Sequence, residues 1–315
     1  MNKDAKIYVA GHNGMVGSAV VRVLKKKQYK NLIFRSHDAL DLTVQSEVES
    51  FFEQEKPEYV ILAAAKVGGI LANSTYPADF YYQNAMIALN VINASHKYNV
   101  DKLLNLGSSC IYPKHAPQPL KEEYLLTDTL EETNEAYAIA KIGAIKMCKY
   151  YNEQYGTNFI SLMPTNLYGP GDNYDLETSH VLPALIRKFH EAKEYNKSVT
   201  LWGDGSPKRE FLFSKDLADA AVYLMETKNY SDIGEFVNVG TGRDLSISEL
   251  AMKIADIVGY TGEVYWDKTK PNGTPRKVLD VSKLESLGWT ATTELEDGIK
   301  ETYKEYLYSR DKYAK

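Results

Sequence analysis

The chain has 315 residues, of which 44% are hydrophobic and 25% charged, and its formal net charge at pH 7 is −5. This balance is typical of a globular protein, and the length allows two lobes of roughly 150 residues each. The negative charge argues against a general nucleic-acid or membrane surface, so an anionic ligand requires local clusters of Lys and Arg.

The chain enters a short apolar strand directly after Met1-Asn2-Lys3-Asp4, so we expect no signal-peptide core. No apolar run approaches the ~20 residues of a membrane span. The two cysteines, Cys110 and Cys148, provide neither a disulfide framework nor paired metal-ligand spacing. The sequence therefore predicts a reduced, cytoplasmic protein without a metal site.

Apolar runs alternate with helical patterns along the first half of the chain. This alternation indicates βαβ units and an α/β fold with a doubly wound, mostly parallel sheet. Such sheets bind ligands beyond the carboxyl ends of their strands, so residues that follow each run are the first site candidates. Strands are predicted at 6–10, 31–35, 59–65, 102–107 and 159–163, and helices at 16–27, 44–55, 84–98, 136–155, 181–194, 214–226 and 246–258.

The turn-rich stretch at 169–173, which reads GPGDN, interrupts the alternation and predicts a crossing into a second lobe. We expect a dinucleotide-binding domain formed by residues 1–172 plus about 211–243. Residues 173–210 plus about 244–315 are expected to form a smaller lobe that binds the substrate.

The segment GHNGMVG at 11–17 follows the first predicted strand and opens the first predicted helix. Glycines at this spacing allow a tight turn and a close approach to a pyrophosphate, while the helix N-terminus supplies N–H donors. A glycine triplet alone is a weak signal, but its place within a βαβ unit favours a nucleotide cofactor.

The second predicted strand ends in FRSHD, at 34–38. A free ribose 2′-hydroxyl is usually met by a carboxylate at this place, whereas a 2′-phosphate requires a cation. Arg35 and His37 suit a phosphate, so the sequence favours NADP(H) over NAD(H). The alternative is that Arg35 is a solvated loop arginine.

Tyr137 and Lys141 lie one turn apart on one face of a predicted helix, and Ser108 follows the strand that ends near residue 107. Reduction of a ketone requires a proton donor at the oxygen while hydride reaches the carbon. A nearby ammonium group favours the phenolate form of a tyrosine, and a serine hydroxyl can hold the ketone oxygen. A Tyr-x-x-x-Lys pair is unremarkable by itself, but the combination with Ser108 and the glycine segment indicates a reductase.

These residues resemble the extended short-chain dehydrogenase/reductase family, which implies a Rossmann-type sheet with a smaller α/β substrate-binding lobe. Within this family the chain is similar to the enzymes that epimerise and reduce GDP-4-keto-6-deoxy-D-mannose. The similarity spans residues 11 to 277 and is carried by LAAAKVGGI, GSSCIYP, YAIAKI, MPTNLYGP and GTPRK.

The resemblance gives Cys110 and His180 a role in inverting the two carbons beside the C4 ketone. Cys110 matches the proton-abstracting residue, and His180 matches the proton donor on the opposite face of the sugar. From spacing alone, Cys110 would be a small buried apolar residue, which remains the expectation for Cys148. We expect the histidines His96, His115 and His190 on the surface.

The resemblance also implies two sets of ligand-binding residues and a homodimer. The GDP-sugar is expected to contact Asn166, Lys188, Trp202, Arg209, Asn272 and Lys277. The cofactor is expected to contact Gly11, His12, Asn13, Gly14, Met15, Val16, Gly17, Arg35, Ser36, His37, Asp41, Leu42, Ala64, Leu106, Gly107, Lys141, Pro164, Asn166, Leu167 and His180.

Three positions depart from the pattern of the relatives. Some relatives with a firm NADPH preference carry arginines where this chain has Asn13 and His37, so use of NADH is open. Asn272 is often Asp in relatives, which bears on the sugar or ribose contacts.

Three alternatives remain at the level of the sequence. The chain could be a reductase of another GDP-4-keto-6-deoxy sugar, such as a heptose, with little epimerisation. It could be an NAD-retaining 4-epimerase or 4,6-dehydratase, although a dehydratase would be expected to carry an acidic pair near Cys110. A redox sensor that binds nucleotide would not need Ser108, Tyr137 and Lys141 together.

Overall fold

The computed structural model describes residues 1–270 and 272–312. The strands are β1 (Ile7–Ala10), β2 (Leu32–Ile33), β3 (Tyr59–Leu62), β4 (Lys102–Leu106), β5 (Phe159–Pro164), β6 (Asn166–Tyr168), β7 (Val199–Trp202), β8 (Lys208–Phe213), β9 (Val237–Val239), β10 (Asp244–Ser246), β11 (Val264–Asp267) and β12 (Arg276–Lys277). The helices are α1 (Met15–Lys26), α2 (Gln45–Glu55), α3 (Ile70–Thr75), α4 (Pro77–Lys97), α5 (Glu135–Tyr155), α6 (Val181–Glu194), α7 (Ser214–Thr227), α8 (Tyr230–Ile233), α9 (Ile247–Val258), α10 (Ser282–Ser286) and α11 (Leu295–Ser309).

The largest sheet has the strand order β2-β1-β3-β4-β5-β9, and all of its strands are parallel. Every residue of β1, β4 and β5 is buried, because helices cover both faces of the sheet. The strand order reverses between β1 and β3, which opens a crevice at their carboxyl ends. The glycine segment and the predicted catalytic residues follow strands at this edge.

Two hydrophobic layers enclose this sheet. One layer joins α1 and α7 to β1, β4 and β5, with Val20, Leu24 and Leu217 fully buried. The other joins α2, α4 and α5, and includes Phe52 and Cys148. Burial raises the pKa of the Cys148 thiol to about 12, so Cys148 is a packing residue, as the sequence predicts.

A second group of elements lies beside the main sheet. Strand β8 pairs antiparallel with β10 and parallel with β6 and β12, while β7 pairs with β11. Helices α6, α9 and α11 pack around a separate core that contains Phe189, Leu250 and Ile299. The predicted α/β fold class is therefore confirmed.

Several element bounds differ from the prediction. Helix α4 begins at Pro77 rather than at residue 84, because proline suits the first helical turn. The short strands β6 to β12 were not predicted, because their two to six residues carry little period-two signal. Helices α3, α8, α10 and α11 were also not predicted.

His190 is not a surface residue, contrary to the expectation. It is 5% exposed, and its Nδ1 lies 2.9 Å from the hydroxyl of Tyr303 on α11. Within residues 1–270 and 272–312, no helix combines the length and the apolar character needed to cross a bilayer.

Candidate active site

The glycine segment forms a tight turn between β1 and α1. Gly11 has φ of +82°, and a Cβ there would lie 2.7 Å from the backbone nitrogen of Ala64. A Cβ at Gly17 would lie 2.1 Å from the carbonyl oxygen of Gly11. Only glycine fits at these two positions, so the backbone of this turn is closely packed.

Gly14 precedes the first residue of α1 and leaves the helix N-terminus without a side-chain cap. A Cβ at Gly14 would have only the Gly11 carbonyl oxygen nearby, at 3.5 Å, so its other side is open. The uncapped N–H groups of the first turn and the positive end of the helix dipole suit a pyrophosphate. The segment 11–17 therefore fits a dinucleotide cofactor.

Arg35 follows β2 and forms an ion pair with Glu55 at the end of α2. Its Nη1 also donates a hydrogen bond to the Phe34 carbonyl oxygen at 2.7 Å. The guanidinium is therefore held at the end of β2, but a carboxylate shares its charge. His12 stacks on Phe34, with ring centroids 5.0 Å apart.

Ser108 and Cys110 are placed by the end of β4. The chain turns there into a 3-10 helix at Ser109–Ile111, and the Ser108 hydroxyl accepts a hydrogen bond from the Cys110 backbone N–H at 3.3 Å. This turn directs both side chains to the carboxyl edge of the sheet. The Cys110 side chain is half-buried, and its Sγ accepts a hydrogen bond from Asn134 Nδ2 at 3.4 Å.

Tyr137 and Lys141 share one face of α5, as predicted. The Tyr137 hydroxyl lies near enough to Ser108 for that side chain to lower its pKa, and the Tyr137 ring packs edge-on against Phe80 of α4. Lys141 Nζ lies 5.7 Å from the centre of the Tyr137 ring and donates to the Leu106 carbonyl oxygen at 2.9 Å. The structure thus brings Ser108, Cys110, Tyr137 and Lys141 together.

Burial controls the ionisation of this pair. It raises the pKa of Tyr137 above its usual value, and the nearby Cys110 raises it further, while the Ser108 hydrogen bond opposes both effects. Lys141 is 8% exposed, and its burial lowers its pKa to about 8. Burial therefore favours the neutral phenol of Tyr137 and weakens the hold of Lys141 on its proton.

His180 lies immediately before α6, and its neighbours contact the loop that follows β3. The Gly69 N–H donates to the Thr178 carbonyl oxygen at 2.9 Å, and a Cβ at Gly69 would lie 2.9 Å from the Ser179 carbonyl oxygen. The residue is exposed as a whole, but desolvation of its ring lowers the pKa of His180. The structure shows no hydrogen bond between His180 and the cluster around Tyr137.

Arg209 and Lys277 are opposite each other in the parallel pairing of β8 and β12. Desolvation lowers the pKa of Arg209, and an electrostatic interaction with Cys110 opposes this shift. The next residue, Glu210, is fully buried and accepts backbone hydrogen bonds from Gly242 and Leu279, each at 2.8 Å. Glu210 thereby joins the strand that carries Arg209 to two neighbouring segments.

Three more predicted substrate residues lie near the end of β7. Trp202 is 58% exposed, and Lys270 Nζ lies 5.6 Å from its ring centre. Asn272 Oδ1 accepts a hydrogen bond from the Asp204 N–H at 2.9 Å, which holds the turn that follows Trp202. Lys188 is on α6, and its partial burial lowers its pKa.

The other predicted cofactor residues lie along the carboxyl edge of the sheet or in the loop that follows β2. Asp41 accepts hydrogen bonds from Thr43, and Asn166 Nδ2 donates to the Glu210 carbonyl oxygen at 2.8 Å. The remaining positions are Asn13 in the glycine turn, Met15 and Val16 in the first turn of α1, Ser36, His37 and Leu42 after β2, and Ala64, Gly107, Pro164 and Leu167 after or within β3 to β6.

Sequence reasoning missed Asn134 and Glu210. Asn134 directly precedes the helix of Tyr137, but its contact with Cys110, 24 residues earlier, depends on tertiary packing. Glu210 lies between Arg209 and the apolar run at 211–213. An acidic residue next to an apolar run was the one sequence signal that could have indicated its structural role.

Comparison with known proteins gives a family and close relatives. Residues 7–240 match the family described as the NAD dependent epimerase/dehydratase family. GDP-L-fucose synthase 1 of Arabidopsis thaliana is 58% identical over 307 residues, covering 97% of this chain and 94% of that protein. GDP-L-fucose synthase of Escherichia coli (strain K12) is 52% identical over 315 residues and covers 98% of each chain.

A solved structure of GDP-mannoheptose C4 reductase from Campylobacter jejuni, with NADP bound, is also similar. It is 44% identical, superposes with a TM-score of 0.90, and covers 98% of this chain and 99% of that one.

Proposed function

The chain belongs to the NAD dependent epimerase/dehydratase family, and on that premise we propose that it is a GDP-L-fucose synthase. The reaction converts GDP-4-keto-6-deoxy-D-mannose to GDP-L-fucose by inversion at C3 and C5 and reduction at C4. The observation that carries this proposal is the position of the Cys110 thiol beside Ser108 and Tyr137. The hydroxyl groups of these two residues are suited to bind one ketone oxygen.

Inversion uses the acidity of the C–H bonds beside the ketone. The Cys110 thiolate takes a proton from C3 or C5. The electron pair of that C–H bond forms a C=C bond with C4, and the π electron pair of the carbonyl group moves onto O4. Hydrogen bonds from Ser108 and Tyr137 stabilise the negative charge on O4. The protonated form of His180 gives its proton to the opposite face of the same carbon and becomes neutral imidazole, and the ketone forms again with inverted configuration.

Reduction uses the same oxygen site. NADPH held by the glycine turn at 11–17 would supply the hydride for C4. Tyr137 supplies the proton that O4 takes up, and its raised pKa keeps that proton in place at neutral pH. Lys141 remains charged below about pH 8 and stabilises the developing negative charge through Tyr137.

NADP(H) is the proposed cofactor, and the open helix N-terminus at Gly14 supports a dinucleotide pyrophosphate. Arg35 supports the choice of NADP(H), because its guanidinium lies at the end of β2, where a 2′-phosphate is expected. The ion pair with Glu55 shares that charge, so we expect a moderate rather than strict preference for NADPH.

The proposed nucleotide-sugar site lies between β8, β12 and the end of β7. Arg209 and Lys277 provide adjacent cations for the diphosphate, and Lys188 adds a third from α6. The exposed ring of Trp202 offers an apolar surface for the sugar nucleotide.

A second candidate is C4 reduction of a GDP-heptose without epimerisation, favoured by the likeness to the Campylobacter jejuni reductase. Cys110 and His180 favour the first candidate, because reduction alone requires neither a thiol base nor a second proton donor.

We also propose a homodimer in the cytoplasm. Helices α4 and α5 pack together and expose apolar side chains at Tyr82, Leu89, Ile139 and Tyr150, which a second copy could cover. A thiol base must stay reduced, and both cysteines of the chain are free.

The test of the function is analysis of the product configuration. Purified protein is incubated with GDP-4-keto-6-deoxy-D-mannose and NADPH, and the product is analysed by NMR. We expect GDP-L-fucose. An unepimerised GDP-6-deoxyhexose would favour the second candidate, and no consumption of NADPH would contradict both candidates.

A further inference from the structure

Asn134 is the side chain in direct hydrogen-bond contact with the sulfur of Cys110. Its Nδ2 donates to Sγ over 3.4 Å, although the two residues are 24 positions apart. Asn134 immediately precedes α5, the helix that carries Tyr137 and Lys141. One amide therefore connects the thiol to the helix of the proton donor.

Helix capping does not explain this asparagine. An asparagine before a helix usually accepts a hydrogen bond from a backbone N–H of the first turn, but Asn134 makes no such bond. Its Oδ1 is buried and has no hydrogen-bond partner within the described residues. A buried unpaired acceptor is unfavourable, so a contact other than the cap must favour this orientation of the amide.

The contact is stronger for the thiolate than for the thiol. A hydrogen bond from an N–H group to a charged acceptor is roughly twice as strong as one to a neutral acceptor. Among the described residues, Cys110 affects the pKa of two groups, namely the phenol of Tyr137 on α5 and the guanidinium of Arg209 on β8. Lys141 contacts the Leu106 carbonyl oxygen and the Tyr137 ring.

We propose that Asn134 is a positioning residue for proton abstraction, which orients the Cys110 sulfur and favours its thiolate through the Nδ2–H···Sγ hydrogen bond. This inference rests on the proposed function, because it assigns Cys110 the role of base. In the step, the thiolate gains the proton of the carbon acid as the electron pair passes to O4, and the amide keeps its own proton throughout.

The first test requires no substrate. Iodoacetamide alkylation of the Cys110 peptide is followed by mass spectrometry between pH 6 and 10 in the wild type, Asn134→Ala and Asn134→Asp. We expect the midpoint of the alkylation profile to move upward by about one pH unit in Asn134→Ala, since one unit corresponds to a tenfold change in thiolate population. Asn134→Asp keeps the shape, removes the donor and adds a negative charge, so its midpoint should move at least as far.

The matched control is Asn229→Ala. Asn229 also precedes a helix and forms a capping box at α8, but it contacts Asn158 rather than Cys110. Its removal should leave the alkylation profile of Cys110 unchanged. An unchanged midpoint in both Asn134 variants would overturn the proposal, even if the variants were less active.

The second test measures deuterium uptake at C3 and C5 of GDP-4-keto-6-deoxy-D-mannose in heavy water without cofactor. At pH 7, Asn134→Ala should exchange about tenfold more slowly, and exchange should recover above the shifted midpoint. Loss of exchange at every pH with an unshifted alkylation midpoint would indicate a merely structural role. A wild type that exchanges no deuterium would contradict the proposed function, whereas the alkylation result would still decide the role of Asn134.

Discussion

Lys141 is buried beside the phenol of Tyr137, and this placement determines the pH range in which the pair can act. A charged lysine is needed to stabilise negative charge at the oxygen, yet burial lowers the pKa of Lys141 to about 8. The spacing of Tyr137 and Lys141 predicted their common helix face, but not the extent of their burial, which depends on Phe80 and the end of β4.

We predict that kcat/KM for C4 reduction falls about tenfold per pH unit above about pH 8, as Lys141 loses its proton. Stability should change in the opposite direction. Between about pH 8 and the ordinary lysine value of 10.5, the unfolded chain binds the proton that the folded chain has lost, so this group raises the free energy of unfolding as pH rises. Rates and thermal melts from pH 6 to 10 measure both effects.

Lys141→Arg is the control, because arginine remains charged throughout this range. Its rate is expected to be lower than that of the wild type, but without the alkaline limb near pH 8. A wild-type rate that stays constant to pH 10 would contradict the assignment of this limb to Lys141.

Arg35 gives a second prediction for a single residue. Replacing Arg35 by Ala should raise KM for NADPH by roughly tenfold or more, because a charged hydrogen bond to the 2′-phosphate is worth about 1.5–3 kcal/mol. KM for NADH should change less than about twofold. Steady-state kinetics with both cofactors tests the prediction, and equal losses with NADPH and NADH would place Arg35 outside the phosphate site.

Most elements of the main sheet follow directly from the sequence, whereas the strands of the second lobe do not. Buried strands such as β4 and β5 consist mostly of apolar residues. In the second lobe, helix α6 was predicted with the bounds Val181–Glu194 that the structure shows. Short strands such as β12 depend on pairing with β8, which no local pattern encodes. The sequence therefore predicted the chemical groups at the sheet edge better than the lobe opposite them.

The loop between β3 and α3 places the segment that carries His180. Gly69→Ala would put a Cβ 2.9 Å from the Ser179 carbonyl oxygen, so the backbone before α6 has to move. We predict about a tenfold loss of deuterium exchange in this variant, because a displaced proton donor cannot complete the inversion.

Gly68→Ala is the matched control. Its Cβ would meet the side chains of Ala72 and Phe80, at 3.1 Å each, rather than the segment of His180. For this control we expect a rate of deuterium exchange within about threefold of the wild-type rate. The effect of a substitution depends on which atoms the new Cβ contacts. Equal losses in both variants would mean that crowding of the loop, rather than displacement of His180, reduces exchange.

At the scale of the whole molecule, the chain crosses between the two lobes near Asp172. A Cβ at the preceding residue, Gly171, would lie 3.8 Å from the Cα of Met15, and the Gly171 N–H donates to Glu305 of α11 at 3.3 Å. This crossing therefore lies between the glycine turn and the last helix. We propose that the two lobes divide at residue 172, as predicted. One stretch of the predicted second lobe is reassigned to the cofactor lobe.

The predicted second lobe includes the stretch around Trp289, which packs elsewhere. Leu284, Leu287 and Trp289 belong to the hydrophobic core of the main sheet, and Trp289 Nε1 donates to Asp219 of α7 at 3.0 Å. We propose that this stretch belongs to the cofactor lobe. The sequence could not reveal this, because an isolated tryptophan does not indicate which core it joins.

Asp172 gives a prediction for the stability of the molecule. Desolvation raises its pKa to about 7, and its Oδ2 is buried without a partner within the described residues. Between the ordinary value of 3.8 and about pH 7 the folded chain binds the extra proton, so this group lowers stability as pH rises through that window. Asp172→Asn should therefore raise the melting temperature at pH 8 by a few degrees, and by less at pH 4.5.

Differential scanning fluorimetry from pH 4.5 to 8.5 measures this difference. Asparagine can still accept the hydrogen bond that Asp172 Oδ1 receives from the Asn173 N–H, so the local turn is retained. A variant that melts below the wild type at pH 8 would contradict the prediction.

The most direct measurement of the proposed function is deuterium uptake by GDP-4-keto-6-deoxy-D-mannose in heavy water, first without NADPH and then with it. We predict deuterium at C3 and C5 before any reduction, and consumption of NADPH once it is added. Cys110→Ser should slow the exchange by about a hundredfold while some direct reduction persists. Reduction of the ketone by the wild type with no deuterium at either carbon would contradict the assignment of Cys110 as the base.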